Sequence, residues 1–149
     1  MKNTAFIILA IALLLAGCSE KAPIDSNAVV SGEHQINIDK LEIYHFHGTH
    51  QCYSCKTVGA YAEETVNTFF PNELKTGKIV FRHINGELPE NMDLVMKYKA
   101  TGSSLWLGVY TKEGEFKAEQ NTNVWYKINN KIDYMNYLRE VIEQKLAGN

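Results

Sequence analysis

The chain has 149 residues, 45% of them hydrophobic and 21% charged, the balance of a soluble globular protein with room for one domain of ordinary size. Its formal net charge is -2, and Lys and Arg cluster along no helix-like stretch. The basic footprint of a nucleic-acid binder is missing, so no nucleic-acid partner is expected.

The first residues depart from that balance. Met1-Lys2 is a short positive region, Ala5 to Leu15 is an apolar run, and Leu15-Ala16-Gly17-Cys18 follows. The run is too short to span a bilayer stably and reads as a secretory signal over residues 1–17. The tetrapeptide Leu-Ala-Gly-Cys resembles the bacterial lipobox, in which the cysteine thiol takes a diacylglyceryl group. That resemblance makes Cys18 the lipidation site and implies a cell-envelope location, lipid-anchored to a bacterial membrane and facing outside the cytoplasm. Three cysteines then resolve into one lipidated residue and one pair, Cys52 and Cys55, in a compartment where disulfides persist. Residues 18–40 are polar and turn-rich, with Pro23, Asp25, Ser26, Asn27, Ser31 and Gly32, and read as the anchored N-terminus and linker.

The domain is expected over residues 41–149. Leu41 to Phe46 is the first predicted strand, ended by Gly48. Lys56 to Phe70 is a helix, with Val58, Ala62, Val66 and Phe69 near a period of 3.6 and Pro71 stopping it. Gly77 to Ile84 is a second strand, closed by Asn85-Gly86. Pro89 opens another helix that runs to Tyr98. Leu105 to Tyr110 is a third strand, and Lys112-Glu113-Gly114 turns into a fourth at Glu115 to Glu119. A last helix spans Ile132 to Leu146, with Met135, Leu138, Val141, Ile142 and Leu146 on one side. This order is a βαβ unit followed by an antiparallel hairpin and a helix, an α/β class with a central mixed β-sheet flanked by helices. It is the order of the thioredoxin-like fold.

The stretch "HFHGTHQCYSCKTV", His45 to Val58, carries the chemistry. A CxxC that ends a strand and opens a helix puts its first sulfur at the helix N-terminus, where free N–H groups and the helix dipole favour a thiolate. Cys52 is then the nucleophile. Cys55, one turn on, resolves the mixed disulfide. Haem attachment needs a histidine after the second cysteine, and Lys56 stands there. Zinc needs about four ligands, which Cys52, Cys55, His50 and His47 supply on paper, although sulfurs on a helix-opening CxxC point away from the preceding strand. A purely structural disulfide across two intervening residues is a poor staple.

His50, nearest to Cys52, can hold a thiolate or take a proton near neutral pH. His45 and His47 alternate along the strand and share a face, so at least one is expected in the core or at its rim with a hydrogen-bond partner. His34 and His83 lie outside the site in sequence and read as structural. Lys56, Glu63 and Glu64 fall on the helix as a solvated face, with Lys56 also close enough to contact substrate. Trp106 and Trp125 read as core. No GxGxxG or other nicotinamide or flavin motif is present, so no cofactor is expected beyond the redox disulfide and no metal site is assigned.

From Leu41 to Leu146 the chain resembles the thioredoxin superfamily in element order and in its strand-CxxC-helix placement. More narrowly, "YHFHGTHQCYSC", "KTGKIVFRHING" and the "SSLWLG" strand resemble the thioredoxin-fold subunit of nitrophenyl-compound nitroreductases, the ArsF family. That resemblance implies an electron-transfer or thiol role beside a redox partner protein or reductase subunit, in the setting of aromatic arsenical resistance. The chain departs from ordinary thioredoxin in Tyr53-Ser54 between the cysteines and Gln51 before them. Ser103-Ser104 stands where the superfamily places a cis-proline facing the CxxC, which makes Ser104 a candidate contact. Phe46 stands where thioredoxins carry a buried aspartate. The expected function is a membrane-tethered thiol–disulfide redox protein; the alternative is a carrier that holds a soft metal ion or arsenite on the two thiolates, with His50 or His47 assisting.

Overall fold

The computed structural model describes residues 36–149, so Cys18, His34, the signal reading and most of the linker lie outside the described residues. Strand β1 spans Ile38–His47, β2 Ile79–Asn85, β3 Ser104–Thr111 and β4 Phe116–Gln120. Helix α1 spans Tyr53–Phe69, α2 Pro71–Thr76, α3 Met92–Tyr98 and α4 Lys131–Leu146. The sheet order is β2-β1-β3-β4. β1 and β2 are parallel, joined through α1 and α2, while β3 runs antiparallel to β1 and β4 to β3. The architecture is α/β, a four-stranded mixed sheet flanked by helices, and is compatible with a thioredoxin-like fold.

Strand alternation divides the core in two. Leu41 and Ile43 of β1 meet Val58, Ala62 and Val66 of α1 and Tyr134, Leu138 and Ile142 of α4 on one face. Tyr44 and Phe46 meet Ile84, Tyr98 and Ala100 on the other. Burying each large apolar side chain contributes about 1.5–3 kcal/mol, so β1, apolar on both faces, is the strand around which the domain is organised. Tyr134, at 0% exposure, donates its hydroxyl to the Val58 carbonyl at 2.8 Å and ties α4 to α1.

Several expected boundaries shift. β1 starts at Ile38, so residues 38–40, read as the end of the linker, are strand. Helix α1 starts at Tyr53, and the cysteines therefore sit in and before its first turn. Pro71 does end α1, but it also occupies the first turn of α2, an element missing from the sequence reading. That is where proline is tolerated, because its absent N–H would be unpaired anyway. The stretch from Pro89 is a short 3-10 turn, Pro89–Asn91, before α3 begins at Met92. In α4 the buried stripe is Tyr134, Leu138 and Ile142, with Met135 only partly buried.

Candidate functional site

Cys52 is the N-cap of α1, in extended backbone at φ -70° and ψ 168°. Its Sγ accepts the Cys55 N–H at 3.2 Å, the role that an oxygen fills at most helix starts. The two cysteines form a disulfide, with Cα atoms 5.1 Å apart. Cys52 is exposed and Cys55 half-buried. No acidic residue occupies the first turn of α1, so no side chain there opposes negative charge on the sulfur. A solvent-facing sulfur at a helix N-terminus, with a second sulfur behind it, can be attacked from outside and released from inside.

Beneath this turn lies His45, at 1% exposure. Its ring fits because residue 59 is glycine: a Cβ there would stand 2.6 Å from Cε1 of His45. β1 and β2 pair so that His45 lies opposite His83, and their Nδ1 atoms are 3.0 Å apart. His83, distant from the cysteines in sequence, is brought against His45 by the parallel register. Its Nε2 reaches Oε2 of Glu63 on α1 at 3.3 Å. The His47 ring centre is 5.4 Å from that of His45, and Nδ1 of His47 donates to the Gly48 carbonyl at 2.9 Å. Burial, reinforced by the His83 and His47 rings, pushes the His45 imidazole down to about 4, and it is neutral at pH 7. Nε2 of His45 has no hydrogen-bond partner among the described residues.

The remaining candidates are placed less tightly. His50 is exposed and lies near the Glu87 carboxyl. Lys56 is exposed, and its main-chain N–H closes the first helical bond to the Cys52 carbonyl at 3.1 Å. Ser104 is buried opposite Phe46 in the sheet; its hydroxyl donates to the Gly102 carbonyl and accepts from Trp106 Nε1. Its hydroxyl is thus engaged locally as both donor and acceptor, by Gly102 and Trp106. Glu64 pairs with Lys131 at 2.5 Å on the surface. Trp106 and Trp125 are half-buried and pack on the two core clusters. Phe46, at 1% exposure, turns to the α3 side, away from α1. Sequence reasoning missed the His45–His83 pairing; one histidine in each of two successive strands was the available signal.

A hollow of about 180 Å³ opens at the strand ends, lined by His47, Gly48, Glu87, Val95 and Gly102 among others. Among the described residues, no group of three or more His, Cys, Asp or Glu side chains is disposed to hold a metal ion. The carrier alternative is left with the two sulfurs alone. No protein-family model matches the chain, and no curated protein is similar to it beyond chance.

Proposed function

We propose that this protein is a thiol–disulfide redox protein in which Cys52 and Cys55 cycle between disulfide and dithiol. The observation that carries this reading is the disulfide at the opening of α1, with Cys52 exposed and Cys55 half-buried. In the dithiol state the helix N-terminus favours a Cys52 thiolate, which attacks a partner disulfide; Cys55 then attacks Cys52 Sγ and frees the partner. Tyr53, 80% exposed between the cysteines, offers that partner an apolar contact. The chain carries no nicotinamide or flavin motif, so electrons come from a partner protein or reductase subunit.

The proposal extends to setting. Lipid attachment at Cys18 tethers the domain to a bacterial envelope membrane, and the resemblance of "YHFHGTHQCYSC" to the nitrophenyl-compound nitroreductase subunit suggests electron transfer in nitroaryl or arsenical chemistry. The test is a thiol count across graded dithiol/disulfide buffers. A two-electron transition within the range of known exchangers, about -270 to -120 mV, is expected. Cys52→Ser abolishes exchange, and Cys55→Ser accumulates mixed disulfides. Thiols that stay reduced and retain one soft ion per chain would replace this reading with the carrier.

A further inference from the structure

The stretch from Gly86 to Met96 carries Glu87, Glu90 and Asp93 and no Lys or Arg. It joins β2 to α3 and leaves large apolar groups in solvent: Leu88, Met92 and Met96 are 40%, 46% and 70% exposed. Met92 and Met96 stand four residues apart on α3 and so share one side of it. The hollow at the strand ends adjoins them, since Glu87 and Val95 line it. Apolar groups gathered on a surface mark a contact site, and methionine adapts its shape to the partner it meets.

Glu87 is held over the hollow. Gly48 leaves it the room, because a Cβ there would lie 2.7 Å from Glu87 Oε1. The other oxygen, Oε2, accepts the Thr49 N–H at 2.9 Å, and the Glu87 N–H donates to Asn85 Oδ1 at 3.1 Å. Hydrogen bonding from Thr49 holds the carboxyl below its ordinary value, so it is charged at pH 7. Thr49 stands three residues before Cys52, which places their Cα atoms at most about 11 Å apart. A segment joined to Cys52 therefore reaches this surface.

Charge selects what covers it. Among the described residues none of the three carboxylates pairs with a Lys or Arg. The next cation, Lys97, lies over the Tyr110 and Phe116 rings. An anionic lipid surface is repelled by such a rim, and a second copy in a two-fold contact would set the same carboxylates against one another. The chain's own residues 19–35 carry Glu20, Asp25 and Glu33 against Lys21 alone, the wrong sign again. We infer that this face docks a basic segment of the redox partner, with apolar side chains on Leu88, Met92 and Met96 and a Lys or Arg in the hollow against Glu87. The inference rests on the thiol–disulfide reading and names the partner's chemistry.

The test uses the full-length protein in a Cys18→Ser background, reduced and mixed with synthetic peptides. Each peptide carries one cysteine as its mixed disulfide with thionitrobenzoate, flanked on both sides by Leu-Lys-Leu-Lys, Leu-Ser-Leu-Ser or Leu-Glu-Leu-Glu. The Cys52 thiolate attacks the peptide sulfur, the old S–S bond breaks, and thionitrobenzoate leaves with the electron pair as the coloured thiolate that is read. We expect the lysine peptide to react at least about fivefold faster than the serine peptide, the fold-change that about 1 kcal/mol gives, and the glutamate peptide to react slowest. The preference should shrink in about 1 M salt, where screening acts within about 3 Å. Joint replacement of Glu87→Gln, Glu90→Gln and Asp93→Asn should bring the lysine and serine peptides within twofold of each other. All three side chains are exposed, and a glutamine at 87 still accepts the Thr49 N–H. Met96→Ser should lessen the advantage of leucine-bearing peptides over versions with serine in place of leucine.

A preference below twofold in the unsubstituted protein overturns the docking surface and leaves the redox reading standing. So does a preference that survives loss of the three carboxylates. A dimer, or binding to phosphatidylglycerol vesicles, that Met96→Ser abolishes gives the face to another occupant and overturns it too. Failure of every peptide to release thionitrobenzoate overturns the redox reading, and the docking of its partner with it.

Discussion

Glu42 and His45 lie three residues apart on β1 and face opposite sides of the same sheet, both nearly closed to solvent. The Glu42 carboxylate takes Lys40 Nζ at 2.8 Å, the Tyr98 hydroxyl at 2.7 Å and the Tyr110 hydroxyl at 2.8 Å. Burial raises its pKa, but these three donors outweigh burial and hold the carboxyl below its ordinary range. His45 has one engaged nitrogen and one bare one. An unpaired buried polar atom costs about 1–3 kcal/mol, whereas a satisfied network rigidifies its surroundings. Burial alone therefore does not make a polar group a fixture of the fold. The finished network sits on the face without the cysteines, and the unfinished one sits on the face of the helix that carries them.

The sharpest way to break this comparison is Glu42→Ala. It strands the Tyr98 hydroxyl, on a residue at 1% exposure, and should cost about 3 kcal/mol in urea unfolding while leaving thiol exchange unchanged. A loss below about 1 kcal/mol would mean the tyrosines find other partners and the network is not a fixture. On the other face, Gly59→Ala drives a Cβ into the His45 ring. Overpacking should cost about 2 kcal/mol in urea unfolding; a loss below about 0.5 kcal/mol would mean the ring can move aside.

Acidification separates the faces without a substitution. His45 is neutral in the folded protein down to about pH 4, whereas an unfolded histidine takes a proton below about 6.5. The unfolded state binds more protons in that window, so stability is present above it and is lost as pH falls, by about 2 kcal/mol between pH 7 and pH 5. The stability tied to Glu42, whose folded pKa is depressed, is lost only at lower pH, as the carboxyl itself protonates. Unfolding curves at pH 7 and 5 should therefore differ less in His45→Gln than in the unsubstituted protein; equal differences would remove His45 from the acid transition. The smallest effect is a control: Glu64→Gln breaks an exposed pair with Lys131 and should change stability by under about 0.5 kcal/mol.

Much of the fold was legible because its elements carry their own signals. The run from Leu41 to Phe46, the 3.6-residue spacing of Val58, Ala62 and Val66 and the turn at Gly114 each place an element without reference to the rest of the chain. The cysteines were legible for the same reason, since spacing and position after a strand suffice. What failed to show was anything set by register. His83 meets His45 across 38 residues only because parallel pairing aligns those two positions, and Tyr98 and Tyr110 reach Glu42 from 56 and 68 residues away. A period of two tells which face a side chain takes, not which residue it will face. Pro71 misled locally, because the same lack of an N–H that closes α1 also suits the first turn of α2.

The Cys55 amide carries a consequence for spectroscopy. Its proton points at Cys52 Sγ, so its electronic environment follows the state of that sulfur: bridged, thiol or thiolate. In a nitrogen-15 correlation spectrum one backbone resonance should therefore occupy a distinct position for each state and report the redox poise and the ionisation of Cys52 together. The protein's own helix start would then serve as the electrode, with no label attached to either thiol.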